Sequence, residues 1–264
     1  MRRGASALGA ILLALGCAPS ATQQQRHVVV ERGEVALPCS SSEASRSPEE
    51  SIDPASTFMG PNVEDRDGTP AYIHLTEHDM PLRVSIGYPK IAPQFGSRED
   101  ARIAAIDAMR LWESAIQPHL CWFRLEFVEQ DESAAVQVIW KRRFAGEYSG
   151  WGGMRYSVRE GRLRVGGEMQ ISTTPSGHTA FHTRLRLEKI PFLVAHEFGH
   201  VLGLGHCLEC DAAMNYSWAT LGRVIVTEED VRAFLALVDQ PNGTRVDGRR
   251  MEILDLDADP APRD

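Results

Sequence analysis

Five residues within eleven positions have the types and spacing that zinc chemistry needs: His196, Glu197, His200, Gly203 and His206. On an α-helix His196 and His200 stand one turn apart, about 6 Å along the axis and on one face, so both imidazoles can reach a single ion at about 2 Å. Glu197 is rotated roughly 100° from His196. It flanks the ion without ligating it and can hold a water as general base. A third ligand on a further turn of the same rod would point away from the ion. Gly203 removes that difficulty, because glycine accepts the left-handed conformation that ends a helix and lets the chain bring His206 back. Three neutral imidazoles on one zinc ion leave a fourth position open, as catalytic zinc sites do. The bland alternative is a core helix with incidental histidines. It must place three of the nine histidines, a carboxylate and a glycine at ligand offsets by coincidence, and the full H-E-x-x-H-x-x-G-x-x-H pattern is far more restrictive than H-E-x-x-H alone.

The rest of the chain supplies elements that can position these residues. The strongly apolar run from Leu185 to Leu202 predicts a buried helix carrying the motif. Upstream, Leu82 to Tyr88 alternates as a half-buried strand does. Ser97 with Asp100 three residues later predicts the start of a helix that ends before Pro118, with Ala105, Met109, Trp112 and Ile116 on one face. Strands are expected over Cys121–Val128, Ala135–Trp140 and Glu168–Ser172, building a sheet over that helix. The glycine- and aromatic-rich stretch from Arg143 to Gly167 reads either as an edge strand beside a ligand or as a flexible hairpin. His178 and His182 are four apart, but Pro175, Ser176 and Gly177 argue against a helix there, so a second metal site on that pair is not expected. Thr227 with Asp230 caps a last helix presenting Val231, Phe234, Leu235 and Val238 before Pro241 and Gly243.

Composition bounds the function. The chain has 264 residues, 43% of them hydrophobic and 24% charged, which suits one catalytic-sized domain with tails. Its net charge of −8, with no clustering of basic residues, argues against a nucleic-acid surface. Arg2 and Arg3 precede an apolar run from Ala5 to Leu15, too short to span a bilayer but suited to an export signal. That run ends Leu13-Ala14-Leu15-Gly16-Cys17, which resembles a bacterial lipobox, with Ala14 departing from the usual branched aliphatic. Membrane attachment through a lipidated Cys17 is therefore expected, with a plain secretory signal as the alternative. The division expected is 1–17 signal, 18–69 flexible tether, 70–243 catalytic domain and 244–264 acidic disordered tail, in a monomer placed in the cell envelope or secreted. Outside the cytoplasm Cys39, Cys121, Cys207 and Cys210 can form disulfides, and the sequence does not choose among three pairings.

From about Leu82 to Leu237 the chain resembles the metzincin clan of zinc endopeptidases. The wording from Val194 to His206 is most similar to the matrixins. The resemblance implies an α+β zincin domain, with a twisted mixed sheet packed on the active-site helix and a C-terminal helix. It implies His196, His200 and His206 as ligands of one catalytic zinc, Glu197 as general base, and Met214 in Ala212-Ala213-Met214-Asn215-Tyr216 as the Met-turn beneath the metal. Gly153 and Met154 match the strand on which such enzymes pair an extended polypeptide. Tyr216 departs from matrixins and is similar to astacins and serralysins, where a tyrosine there can ligate zinc and stabilise the transition state; as a wall residue it would do neither. The pattern for a second, structural zinc is absent, and calcium is likewise not implied. Cys207, directly after the third His, is the largest departure, and a Cys207–Cys210 disulfide tightening the Met-turn is expected over metal capture or a redox switch. The alternative to an enzyme is a noncatalytic zinc-binding surface lipoprotein.

Overall fold

The computed structural model describes residues 60–144, 149–159, 162–175, 184–207, 210–215 and 226–251. The export signal with Cys17, the tether as far as residue 59, the His178/His182 pair, Tyr216 and the tail from residue 252 lie outside the described residues.

The first helix, α1 (Arg98–Ile116), begins at the capping box that its sequence predicts. Ser97 Oγ accepts from the Asp100 N–H at 3.0 Å, and Asp100 Oδ2 accepts from the Ser97 N–H at 2.8 Å. Ala105, Met109, Trp112 and Ile116 are buried on its inner face. This helix is the crossover between two parallel strands, β3 (Leu82–Ile86) and β4 (Leu125–Val128). Glu113 fastens the helix to the second of them by accepting the Leu125 N–H at 2.9 Å. The expected strand from Cys121 is thus shorter: the Phe123 N–H turns back to Leu120 O at 2.9 Å, and Cys121 is exposed with a free thiol.

With β5 (Val136–Lys141), β6 (Gly150–Arg159) and β7 (Arg162–Ser172) these strands form a five-stranded mixed sheet in the order β4-β3-β5-β7-β6. Neighbours are parallel except β6 and β7, which pair antiparallel from Gly150↔Ile171 to Arg159↔Arg162. The glycine-rich stretch supplies β6, the outer strand of that sheet, paired antiparallel with β7. The strand expected over Glu168–Ser172 is the end of the longer β7.

The motif helix, α2 (Ile190–Val201), starts five residues later than the apolar run suggests. Tertiary pairing takes residues 185–187 instead: Leu185 donates to Thr173 O at 2.7 Å, Gln94 to Leu185 O at 2.8 Å, and Leu187 to Gln94 O at 3.0 Å. Pro191 then falls in the first turn, where a missing N–H costs nothing. The helix packs on α1 and against β6 and β7. Buried Trp112 donates its indole N–H to Ala195 O at 2.9 Å, so it serves the core and also ties the two helices.

The last helix, α3 (Glu228–Val238), begins at the expected Thr227/Asp230 box. A second, small antiparallel sheet has β2 (Pro70–Tyr72) between β1 (Val63–Glu64) and β8 (Thr244–Arg245). Residues on both sides of the expected 70–243 limits thus belong to folded structure, and the disordered character expected from 244 does not hold for Thr244–Arg245. Arg245 is only 6% exposed and pairs with Asp65 at 3.2 Å, Asp67 at 2.8 Å and Asp247 at 3.1 Å. Strands of two residues carry no readable periodicity, and partners this distant in sequence leave no local signal.

Candidate metal centre and active-site cleft

His196 and His200 project from one face of α2, with ring centroids 4.9 Å apart. The helix then closes: Leu202 donates to Phe198 O at 2.9 Å, Gly203 to His200 O at 3.1 Å and Leu204 to Gly199 O at 3.0 Å. Gly203 has φ +96°, in the region that favours glycine. That turn delivers His206, whose ring stands 4.6 Å from His200 and 5.1 Å from His196, centroid to centroid. One ligand nitrogen from each ring lies within 4.8 Å of the others, with His200 Nε2 and His206 Nε2 3.1 Å apart.

These residues fit a zinc ion in donor type, spacing and proton state. Nitrogens about 2.05 Å from a tetrahedral zinc stand about 3.3 Å from one another; the His200–His206 pair is 3.1 Å apart, and the His196 nitrogen lies within 4.8 Å of both. His196 Nδ1 bonds to Ala213 O at 2.9 Å and His200 Nδ1 to Leu204 O at 2.8 Å. A carbonyl can only accept, so both Nδ1 atoms carry the proton and both Nε2 lone pairs face the centre. Burial lowers the pKa of all three rings, that of His196 to about 4, which keeps them neutral as ligands must be.

Glu197 lies on the flank of α2 next to the edge strand. Burial pushes its carboxyl up to about 8 in the absence of a cation, against a hydrogen bond from the Gly152 N–H that lowers it. The approach is close because β6 has glycine at positions 150 and 152, whose Cα hydrogens face the helix. A Cβ on Gly152 would collide with the Glu197 carbonyl, and one on Gly150 with its carboxylate. These two residues escaped the sequence reading, which singled out Gly153 and Met154; the available signal was glycine at every second position of a strand. Gly153 and Met154 do lie on β6, the outermost strand of the sheet, and with His200 they line one cleft.

Met214 is fully buried, its sulfur against Gly199 of α2. Its turn is held from two directions. Cys207 donates to Met214 O at 2.8 Å and is disulfide-bonded to Cys210, which tethers the turn to the segment that carries His206. From the other side, the wholly buried Asp230 accepts the N–H groups of Ala213 at 2.9 Å and Met214 at 3.2 Å. Burial raises the Asp230 pKa, and the N–H groups of Thr227, Ala213 and Met214 oppose that rise. Sequence reading gave Asp230 only its capping role, since nothing local announces a partner seventeen residues upstream.

A family model described as matrixin, the M10 peptidases, matches residues 90–238, more than half of the chain. A search of curated proteins finds no match. The matched span begins ahead of α1 and ends with α3, enclosing the helix and turn that gather the three imidazoles and the methionine packed beneath them. On that span and that geometry the chain belongs to the matrixins, a family of zinc metalloendopeptidases.

Proposed function

We propose that Glu197 is the general base and proton carrier in the cleavage of internal peptide bonds of extended polypeptides. The observation that carries this reading is the position of its carboxylate, buried on the helix that carries His196 and His200 and held by the Gly152 N–H on the sheet edge. A zinc ion held by His196, His200 and His206 would supply Lewis acidity, polarising the scissile carbonyl and acidifying a water. Glu197 takes a proton from the attacking water on one carboxylate oxygen and later gives it to the departing amine. The outer edge of β6 offers backbone donors and acceptors to a substrate strand, which supports extended rather than folded substrates.

Tyr216 follows the Met-turn directly in sequence, and in this reading its phenol donates to the developing oxyanion. The protein acts as a monomer outside the cytoplasm, held at a membrane by lipid on Cys17; the support is the N-terminal Arg2-Arg3, apolar run and cysteine.

Glu197→Gln tests the base directly. With zinc still bound at one ion per chain, kcat is expected to fall by about 10²–10⁴-fold. Retained activity, or loss of zinc with the variant, would overturn the role. Tyr216→Phe is expected to lower kcat about 10²-fold with little change in KM; an unchanged kcat would leave Tyr216 as a wall residue.

A further inference from the structure

An open cavity of about 470 Å³ adjoins the metal centre, with His200 in its wall. One side is β6 at Gly152–Met154, a second the turn Gly203–Gly205, and the third the segment Gly60–Asn62 that precedes β1. That third wall has no part in holding the metal or Glu197, and it is fixed in place by one side chain. The Asn62 amide donates to Ile73 O at 2.6 Å and accepts from the Ile73 N–H at 2.9 Å, while its backbone N–H donates to Ala71 O at 3.0 Å. The same Nδ2 lies 3.8 Å from Met154 Sδ and against Gly203. Asn62 therefore wedges the segment between β2, the edge strand and the turn that delivers His206.

The geometry points to a substrate subsite: the cavity takes one uncharged side chain of the cleaved polypeptide, and Gly60–Asn62 sets its selectivity. The inference rests on substrate pairing with β6 as proposed above. A polypeptide strand running along Gly152–Met154 sends alternate side chains to each face, and the cavity opens beside those residues and beside His200. Its volume lies within the range of about 300–1,000 Å³ typical of ligand pockets, room for a large side chain. No Asp, Glu, Lys or Arg lines it, and Pro61, Met154 and Leu204 supply apolar surface. A charged side chain seated there would meet no opposite charge among the lining residues.

Pro61 is exposed on the rim, so its replacement leaves the core intact. The experiment profiles cleavage of a mixed peptide library by the full zinc-loaded chain as wild type, Pro61→Glu and Pro61→Arg. Wild type is expected to disfavour both charge signs at one substrate position. At that position Pro61→Glu should raise relative kcat/KM for Lys and Arg about three- to fivefold, and Pro61→Arg should do the same for Asp and Glu, the size expected of an exposed ion pair. If the wild type cleaves but both swaps leave its preference unchanged at every position, the subsite is refuted alone. If zinc-loaded wild type cleaves no peptide, the catalytic reading falls and the subsite with it.

Discussion

Replacing Asp230 with alanine should loosen the metal site from a distance, through the Met-turn. The carboxylate accepts the N–H groups of Ala213, Met214 and Thr227 and the Thr227 hydroxyl, at 2.8–3.2 Å, with no exposure to solvent. Hydrogen bonds to a charged acceptor contribute about 1.5–3 kcal/mol each, and losing a helix cap costs about 1 kcal/mol. Two Met-turn bonds at the low end plus the cap give about 4 kcal/mol. Removing a buried carboxylate returns part of its desolvation cost, which brings the expected loss to about 3 kcal/mol. Asp230→Asn keeps one acceptor oxygen and should lose about half as much. Urea unfolding of the zinc-free protein measures this without ligand linkage masking it. Because Ala213 O accepts from His196 Nδ1, a loosened turn should also weaken zinc binding by about tenfold, the lower end for groups that orient a ligand. Competition with a chelator of known affinity gives that second number. A loss below about 1 kcal/mol together with unchanged zinc affinity would refute the buttress, since the donors would then have found other partners.

Acid should destabilise the zinc-free protein through His196. Its folded pKa of about 4 lies below the ordinary value of 6.5, so between those limits the unfolded chain binds the proton and the folded chain does not. The full contribution is present above pH 6.5 and is lost as pH falls toward 4, about 3 kcal/mol for this ring. Glu197, whose buried carboxyl is pushed up to about 8 in the same zinc-free protein, works in the opposite direction over this range. The measurement is therefore made on zinc-free Glu197→Gln, where a urea midpoint that stays flat from pH 7 to pH 4 would contradict the His196 contribution. Gly152→Ala should cut kcat by at least about tenfold with KM less affected, because the added methyl meets the Glu197 carbonyl and pushes α2 from the sheet edge. Wild-type turnover by this variant, measured with zinc content confirmed, would show that the close approach is dispensable.

The parts of the fold legible in the sequence are those whose causes are local. Both capping boxes are written in four consecutive residues, Ser97 to Asp100 and Thr227 to Asp230, and the buried face of α1 repeats at helical spacing. The ligand set was legible for the same reason, since helix geometry fixes His196 against His200 and one glycine returns His206. Elements set by distant partners were not. Leu185 and Arg186 look helical in isolation, yet Thr173 and Gln94 hold them extended, and Leu187–Lys189 form a 3-10 turn before α2. The length of β7 depends on its pairing with β6: Arg162 to Val165 alternates polar with apolar as a strand does, but Gly166 and Gly167 break the pattern before Glu168. Gly150 and Gly152 matter for what faces them from α2, which no window along β6 contains. Pro61 and Asn62 read as tether because their partners lie on β2, β6 and the turn after α2.

The small sheet has one more consequence. Ala71 pairs with Val63 on one side and Arg245 on the other, and neighbouring strands lie about 4.8 Å apart, so these two residues stand about 10 Å from each other. Among the described residues, the first strand and the last thus lie within two strand spacings of each other. A unit so arranged is a cassette: it can be spliced into a surface loop of a host protein without prying the host open. Its own order can also be cut elsewhere and rejoined by a short linker across β2.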